Sequence, residues 1–485
     1  MSKAYGTHPK NQVLPPPEGG GVLENLEIDS GAENPADLGT VSILTHGCKL
    51  NQADSEALAR RFVQAGYRLV GPADPADIYV INTCTVTHVA DSKARQALRA
   101  AHRQNPSALV VATGCYAQRA PKELAGLEAV SLVVGNSEKE RLVEAVLAAR
   151  EYQSVPRSAG RDTPNRSEKW QGAMEAHPPG RTRAMVKIQE GCNQVCAYCI
   201  VPKVRGRERS ISADVLVSQV KHRVEEGYKE VVLTGTQLGS YGFDLEAINL
   251  KGLLERLLKE TEVARLRVSS LQPQEIAREL LQLWEDPRLC PHFHMPLQSG
   301  SDHVLKRMRR RYTAAQYAEA VDRVRCKVPG VAVSADVIVG FPGEEEWQFQ
   351  ESLHFAQRME FASIHVFPYS VRPGTSAAYM GPRVDERAKR ERMEEMLEVA
   401  REQASLFRRK SIGTTRQVLW ERAEVRDGRP MYLGLTDNYL KVHTEQGAPL
   451  LNQITSAKLL AEVGEGLLAE VFRGLYQRPL NTYPL

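Results

Sequence analysis

Three cysteines fall within the stretch Gly191-Cys192-Asn193-Gln194-Val195-Cys196-Ala197-Tyr198-Cys199, at spacings of four and three. No other feature restricts the chain so tightly, because thiolates this close in sequence must converge on one centre. Together they can hold three irons of a [4Fe–4S] cluster and leave the fourth iron without a protein ligand. Reading Cys196-Ala-Tyr-Cys199 as a redox dithiol leaves Cys192 without a role. A zinc site would need a fourth Cys or His at comparable spacing, and none follows nearby.

Redox compartment bears on this reading. The amino terminus, Met1-Ser-Lys-Ala-Tyr-Gly, lacks the apolar core of a signal peptide, and no apolar run approaches the ~20 residues of a membrane span. The expectation is a cytoplasmic protein with no membrane segment, whose eight cysteines are reduced and, where clustered, bind metal. With 485 residues there is room for several domains and a large core. The net charge of +4 permits a nucleic-acid partner without arguing for one.

Residues 1–39, with Pro15-Pro16-Pro17 and Gly19-Gly20-Gly21 and no hydrophobic periodicity, read as a disordered tail. From 40 to 150 one unit recurs. A short apolar strand ends at His46-Gly47-Cys48, a second (Ile78 to Ile81) at Asn82-Thr83-Cys84, and a third (Leu109 to Ala112) at Thr113-Gly114-Cys115, with helical patterns between. Strands alternating with helices predict a parallel sheet, whose ligands bind where the strands' carboxyl ends converge. Cys48, Cys84 and Cys115 occupy equivalent places at that edge, so a second three-thiolate cluster is expected. Residues 151–180 are polar and read as a linker.

From 181 to 410 strand–helix units recur, with strands at Ala184–Ile188, Glu230–Thr234, Leu266–Ser269, His292–Met295, Val331–Val339 and Ser363–Phe367. This pattern predicts a full or partial (β/α) barrel with its chemistry at the carboxyl ends of the strands. Cys290, His292 and His294 alternate along one strand, which raises a metal site as a second reading of that segment. Between 411 and 475 the pattern becomes all-β, with strands at Gln417–Trp420, Pro430–Leu433, Tyr439–Val442 and Leu468–Phe472, as in a small oligonucleotide-binding barrel. Residues 476–485 read as a tail. The overall expectation is an α/β chain: a three-Cys parallel-sheet domain, a (β/α) partial barrel and a small β-barrel.

The C-x3-C-x2-C spacing with Tyr198 before the last Cys resembles the signature of the radical S-adenosylmethionine enzymes. A three-Cys domain ahead of it, and the run His294-Met-Pro-Leu-Gln298-Ser299-Gly300-Ser301, sharpen the resemblance to the methylthiotransferases. His46-Gly-Cys48-Lys49-Leu-Asn51-Gln52 looks like the form found in the branch acting on threonylcarbamoyladenosine of tRNA. The isopentenyladenosine and ribosomal-aspartate branches carry other residues after the Cys. The resemblance implies two [4Fe–4S] clusters, one on Cys192, Cys196 and Cys199 and one on Cys48, Cys84 and Cys115. It also implies S-adenosylmethionine contacts at Tyr198, Gly235, Gln237, Ser270, Gln298 and Asp336, and a TRAM-like carboxyl-terminal domain. The partners it implies are tRNA, a flavodoxin- or ferredoxin-like electron donor and a sulfur source. Arg205, Arg209, Arg307 and Arg310, in two basic runs, are candidates for contacts to RNA phosphates. Against this stands a non-enzymatic Fe–S protein that binds RNA, which would leave the residues after the barrel strands without a purpose.

Overall fold

The computed structural model describes residues 12–13, 38–153, 182–426, 429–445 and 449–472. The chain divides into two compact units. One comprises residues 1–178 together with Ile200–Gly206, and the other comprises Pro179–Cys199 with everything from Arg207 onward.

The first unit is built on β1 (Thr40–Thr45), α1 (Lys49–Gln64), β2 (Ile78–Thr83), α2 (His88–Gln104), β3 (Leu109–Gly114), β4 (Leu132–Val134) and α3 (Leu142–Gln153). The strands pair in parallel in the order β4-β3-β2-β1, with Arg68–Leu69 at one edge and Gln12–Val13 at the other. Gln12–Val13 thus belongs to the sheet although it lies within the stretch expected to be a tail. The remainder of residues 1–37 and most of the expected linker lie outside the described residues.

Every residue of β2 and β3 is buried, as befits central strands covered on both faces. Leu58 and Phe62 of α1 with Leu142 and Val146 of α3 pack one face, while Ala94, Leu98 and Ala101 of α2 pack the other. Helix α1 begins at Lys49, directly after Cys48, which stands at its N-cap position without a side-chain capping bond.

In the second unit β5 (Arg183–Lys187), β6 (Glu230–Thr234) and β7 (Arg265–Val268) form one parallel sheet. Strands β8 (His292–His294), β9 (Ala332–Val339) and β10 (Ser363–Pro368) form another. The bridges Leu266–Leu289 and Ser270–His294 join the two into a partial barrel. Helices α4 (Ala213–Glu225), α5 (Leu250–Glu260), α6 (Ala314–Lys327) and α7 (Glu346–Met359) lie between the strands, and α8 (Glu386–Ser411) follows the last.

Alternation assigns the two faces of these strands. Val186, Val231, Leu233, Leu266, Val268, Phe293, Val333, Val337 and Val366 turn outward into the core beneath the helices. The inward positions are mostly polar. At the amino ends of the strands they are closed by Glu230, fully buried, with Arg265 at 2.8 Å and Arg267 at 2.7 Å. Burial alone would raise the Glu230 carboxyl, but the guanidiniums overcome it and hold it at about 2.

A closed five-stranded barrel follows, made of β11 (Thr415–Arg426), β12 (Arg429–Thr436), β13 (Lys441–Thr444), β14 (Ile454–Val463) and β15 (Gly466–Val471). It caps the buried ion cluster. The Tyr439 ring lies 4.7 Å beneath the Arg267 guanidinium, which also donates to the Asp437 carbonyl, and Arg265 donates to the carbonyls of Leu435 and Thr436. Among the described residues no helix is long and apolar enough to cross a membrane.

Candidate functional site

In the first unit three successive strands deliver their thiols to one sheet edge. Cys48 caps α1 just beyond β1, Cys84 directly follows β2, and Cys115 opens the short helix Cys115–Arg119 just beyond β3. Gly47, with φ of +111°, lets Cys84 approach so closely that a Cβ there would lie 3.1 Å from its sulfur. Burial pushes the Cys84 thiol up to about 12, and the charges of Cys115 and Cys48 add to the shift. Three thiols delivered to one sheet edge suit an iron centre, which would bind them as thiolates and compensate their charge.

A network of buried polar groups surrounds the three thiols, although His46 Nε2 and Asn136 Oδ1 are buried in it without a hydrogen-bond partner. Asn51, wholly buried, donates to the carbonyls of His46 (2.7 Å) and Thr83 (3.2 Å), tying the Cys48 loop to the Cys84 loop. Its own oxygen accepts from Arg205. Arg205 and Lys139 both donate to Asp54, at 3.0 and 2.8 Å. Burial pushes the Lys139 amine down while Asp54 opposes this. Asn136 donates to the Cys115 sulfur and to the Val204 carbonyl, and Cys115 packs on Ile200 and Val204. Residues 200–206 therefore complete this domain's polar core, and Arg205 points inward with its donors taken rather than toward RNA.

In the second unit the loop after β5 carries Cys192, Cys196 and Cys199. The Gln194 amide donates to the Cys192 sulfur at 3.4 Å and Arg310 to the Cys196 sulfur at 3.3 Å. Such N–H···S contacts are a means of tuning Fe–S clusters. Burial raises the Cys192 thiol to about 11. Three thiols with donors already aimed at two of them fit a cluster bound here. The loop is seated by Ala197, whose amide donates to the Met308 carbonyl and whose carbonyl accepts from Ala377. Tyr198 packs on the apolar cluster of Met308, Phe341 and Tyr369.

Beside the loop lies a compact amide and acid network. Gln189 accepts from the amides of Thr236 and Gln237, fixing the turn that begins at Gly235, where a Cβ would meet the Gln189 carbonyl at 2.9 Å. Gln272 bonds both Gln194 and Gln237, and Arg310 donates to Gln272. Glu275 accepts from the Gln272 amide and from Gln237. Burial raises its carboxyl to about 7. No motif singles out Glu275 in the sequence, although its place just past the carboxyl end of β7 is a usable signal. Arg310 turned out to belong to the thiol loop rather than to an exposed run. Of the four arginines proposed for RNA, Arg209 is exposed and Arg307 half-buried, with one nitrogen on the Gly381 carbonyl.

Gln298, at φ of +69°, extends the pairing of β9 through Asp336 and Ile338. Ser270 bridges to His294. Ser299 bonds Ser352, Ser301 bonds Glu351, and a Cβ on Gly300 would lie 2.6 Å from Phe355 Cβ. That part of the signature is a seat for the loop on α7. Asp336 engages one oxygen with His294 and the other with His365. Cys290 is buried against Arg267 and Arg265 and stands apart from this pair, so the Cys290, His292 and His294 reading is not what the fold assembles.

Comparison with known proteins agrees with this architecture. Residues 40–135 match the uncharacterized protein family UPF0004, and residues 186–356 match the radical SAM superfamily. The chain is 41% identical, over 84% of its length and 96% of theirs, to the threonylcarbamoyladenosine tRNA methylthiotransferase MtaB of Aquifex aeolicus. It is 38% identical to the Bacillus subtilis protein of the same name, over 87% of this chain and 94% of that one. A tRNA-2-methylthio-N(6)-dimethylallyladenosine synthase from a Thermoanaerobacter species is 33% identical, over 89% and 93%. A three-thiol domain followed by a radical SAM barrel defines a class of enzymes that transfer a methylthio group. The chain belongs to that radical SAM methylthiotransferase family.

Proposed function

We propose that the protein adds a methylthio group to C2 of N6-threonylcarbamoyladenosine at position 37 of tRNA. The observation that carries this reading is the pair of relatives of that name, at 38 and 41% identity over nearly the whole chain. The Lys49-Leu50-Asn51 form of the first Cys motif supports the same branch. The chemistry also asks for what the two units offer. An aromatic C2–H is too strong and too weakly acidic for ordinary base catalysis, so a carbon radical is needed.

Cys192, Cys196 and Cys199 would hold a [4Fe–4S] cluster that, when bound, supplies one electron to S-adenosylmethionine. Arg310 and the Gln194 amide would hydrogen-bond its sulfur ligands. Gln237, Gln272 and Glu275 line the adjoining space with amide and carboxyl groups suited to the amino-acid end of that cofactor. Cys48, Cys84 and Cys115 would hold a second cluster carrying the sulfur to be methylated. Exposed Arg209 and partly exposed Arg307 would meet RNA phosphates. An electron donor and a sulfur source are required partners, and a cytoplasmic location follows from the substrate.

The relative named for dimethylallyladenosine, at 33% identity, supports a second reading in which that nucleoside is the substrate. Nucleoside mass spectrometry after anaerobic incubation of reconstituted protein with S-adenosylmethionine, reductant, sulfide and each tRNA decides between them. The methylthio derivative of the threonylcarbamoyl nucleoside should appear with the intact protein and vanish in Cys196→Ala. A product on dimethylallyl tRNA alone would move the assignment to the other branch.

A further inference from the structure

The inward face of the barrel's second half carries an array that ends in two residues with no role so far, His365 and Phe367. Cross-strand register sets Asp336 beside His365 and Ile338 beside Phe367, and side chains of paired residues share a face. Their neighbours Val337, Ile364 and Val366 turn to the opposite side and are buried. Along the inward face runs a hydrogen-bonded chain: Ser334 Oγ to His294 Nδ1 at 3.0 Å, His294 Nε2 to Asp336 at 3.2 Å, and Asp336 to His365 Nδ1 at 3.1 Å. His294 and Asp336 have no spare atom. His365 Nε2 does, having no partner among the described residues, and the side chain is 56% exposed.

Two positions along the same strand, toward its carboxyl end, Phe367 leaves 42% of its surface open. On the inner face of a barrel strand, such a ring presents an apolar surface that a flat ligand could cover. Tyr369, two residues on, belongs to the apolar cluster that seats Ala197 and Tyr198 of the thiol loop. The open ring and the open imidazole nitrogen therefore lie on the strand that leads to the site. An enzyme acting on a base must take that base out of its stack, and base-on-aromatic stacking tolerates any sequence.

We propose, resting on the tRNA reading above, that Phe367 is the stacking surface for the target adenine and that His365 Nε2 hydrogen-bonds its polar N6 substituent. Asp336, held by His294, whose other nitrogen is fixed by Ser334, fixes the His365 ring through Nδ1 and so aims Nε2. Beyond the N6–H that all adenosines keep, threonylcarbamoyl offers oxygens and a further N–H to this nitrogen, whereas the dimethylallyl group is wholly apolar, so the pair discriminates the two nucleosides. His294, Asp336 and His365 also bring ligand atoms within 4.8 Å of one another, as a cation would need. They already satisfy each other in a linear chain, with a separate Asp336 oxygen for each ring, so the array is complete without one.

The test uses full-length, cluster-reconstituted protein and anticodon stem-loop RNAs bearing threonylcarbamoyladenosine, unmodified adenosine or dimethylallyladenosine at position 37. Dissociation constants are measured by fluorescence anisotropy. Phe367→Ala should weaken all three RNAs by roughly 5- to 100-fold, and Phe367→Tyr should restore most of the loss. His365→Ala should leave the unmodified RNA's affinity as in the wild type and reduce the preference for the threonylcarbamoyl RNA by about 5-fold or more. Melting temperature and iron content matching the wild type identify variants that have folded. A preference that survives His365→Ala, or Phe367→Ala binding all three RNAs normally, overturns the inference. So does a stoichiometric metal ion beyond the cluster iron that His365→Ala removes. A wild-type protein with no preference among the RNAs would instead unseat the nucleoside assignment on which the inference rests.

Discussion

At the scale of residues, the motif side chains separate into those that bring thiols together and those that hold the fold around them. Asn51 belongs to the second group. It has no solvent contact, bridges two cysteine loops and receives Arg205. Asn51→Ala strands two carbonyls and a guanidinium, which should cost about 2–4 kcal/mol. Melting of the variant, with iron content after reconstitution, checks this; an unchanged melting temperature would mean that the bridge contributes little. The cysteines themselves were legible in the sequence because spacing is a one-dimensional property. The direction of an arginine is not. Arg205 and Arg310 sit in basic runs typical of solvated faces, yet one turns to Asp54 and the other to a cysteine sulfur, and nothing in the local sequence encodes those distant partners.

At the scale of elements, the turn Pro273–Glu275 after β7 carries a titration that ought to be measurable. Burial raises the Glu275 carboxyl from the ordinary 4.5 to about 7. The folded chain thus binds this proton more tightly than the unfolded one. The associated stability, on the order of 3 kcal/mol, is fully present below pH 4.5 and is lost as pH rises through 7. Thermal melts from pH 5 to 8 should show the wild type losing stability relative to Glu275→Gln, and parallel curves would contradict the assignment. Strand positions in both α/β regions were readable because buried parallel strands are short apolar runs between turn residues. In the small barrel, β14 is not legible from the sequence pattern. Its register shifts between Leu459 and Ala461, so the apolar pair Leu459-Leu460 breaks the alternation by which a strand is recognised.

On the scale of the whole molecule, three domains read from composition become two compact units, because the carboxyl-terminal barrel is joined to the radical domain by buried charge. Arg267 has no exposed surface, neutralises Glu230 and lies over Tyr439. Arg267→Met removes one guanidinium from a buried carboxylate and should cost about 3–5 kcal/mol. Scanning calorimetry would detect a single transition at lower temperature. A wild-type melting curve would show that Arg265 alone suffices for Glu230. Composition marked the change to all-β near residue 411 but could not reveal this joint, whose partners are some 170 residues apart.

The excursion of Ile200–Gly206 into the first unit also sets an order of events during synthesis. A ribosome that has released residues 1–178 has not yet supplied the guanidinium that meets Asp54 and Asn51, nor the Ile200 and Val204 side chains that cover Cys115. The amino-terminal sheet can form early, but its thiol edge is finished only when the chain has passed through Cys192, Cys196 and Cys199. A metal centre on Cys48, Cys84 and Cys115 would thus be completed only after the polypeptide carrying Cys192, Cys196 and Cys199 has emerged.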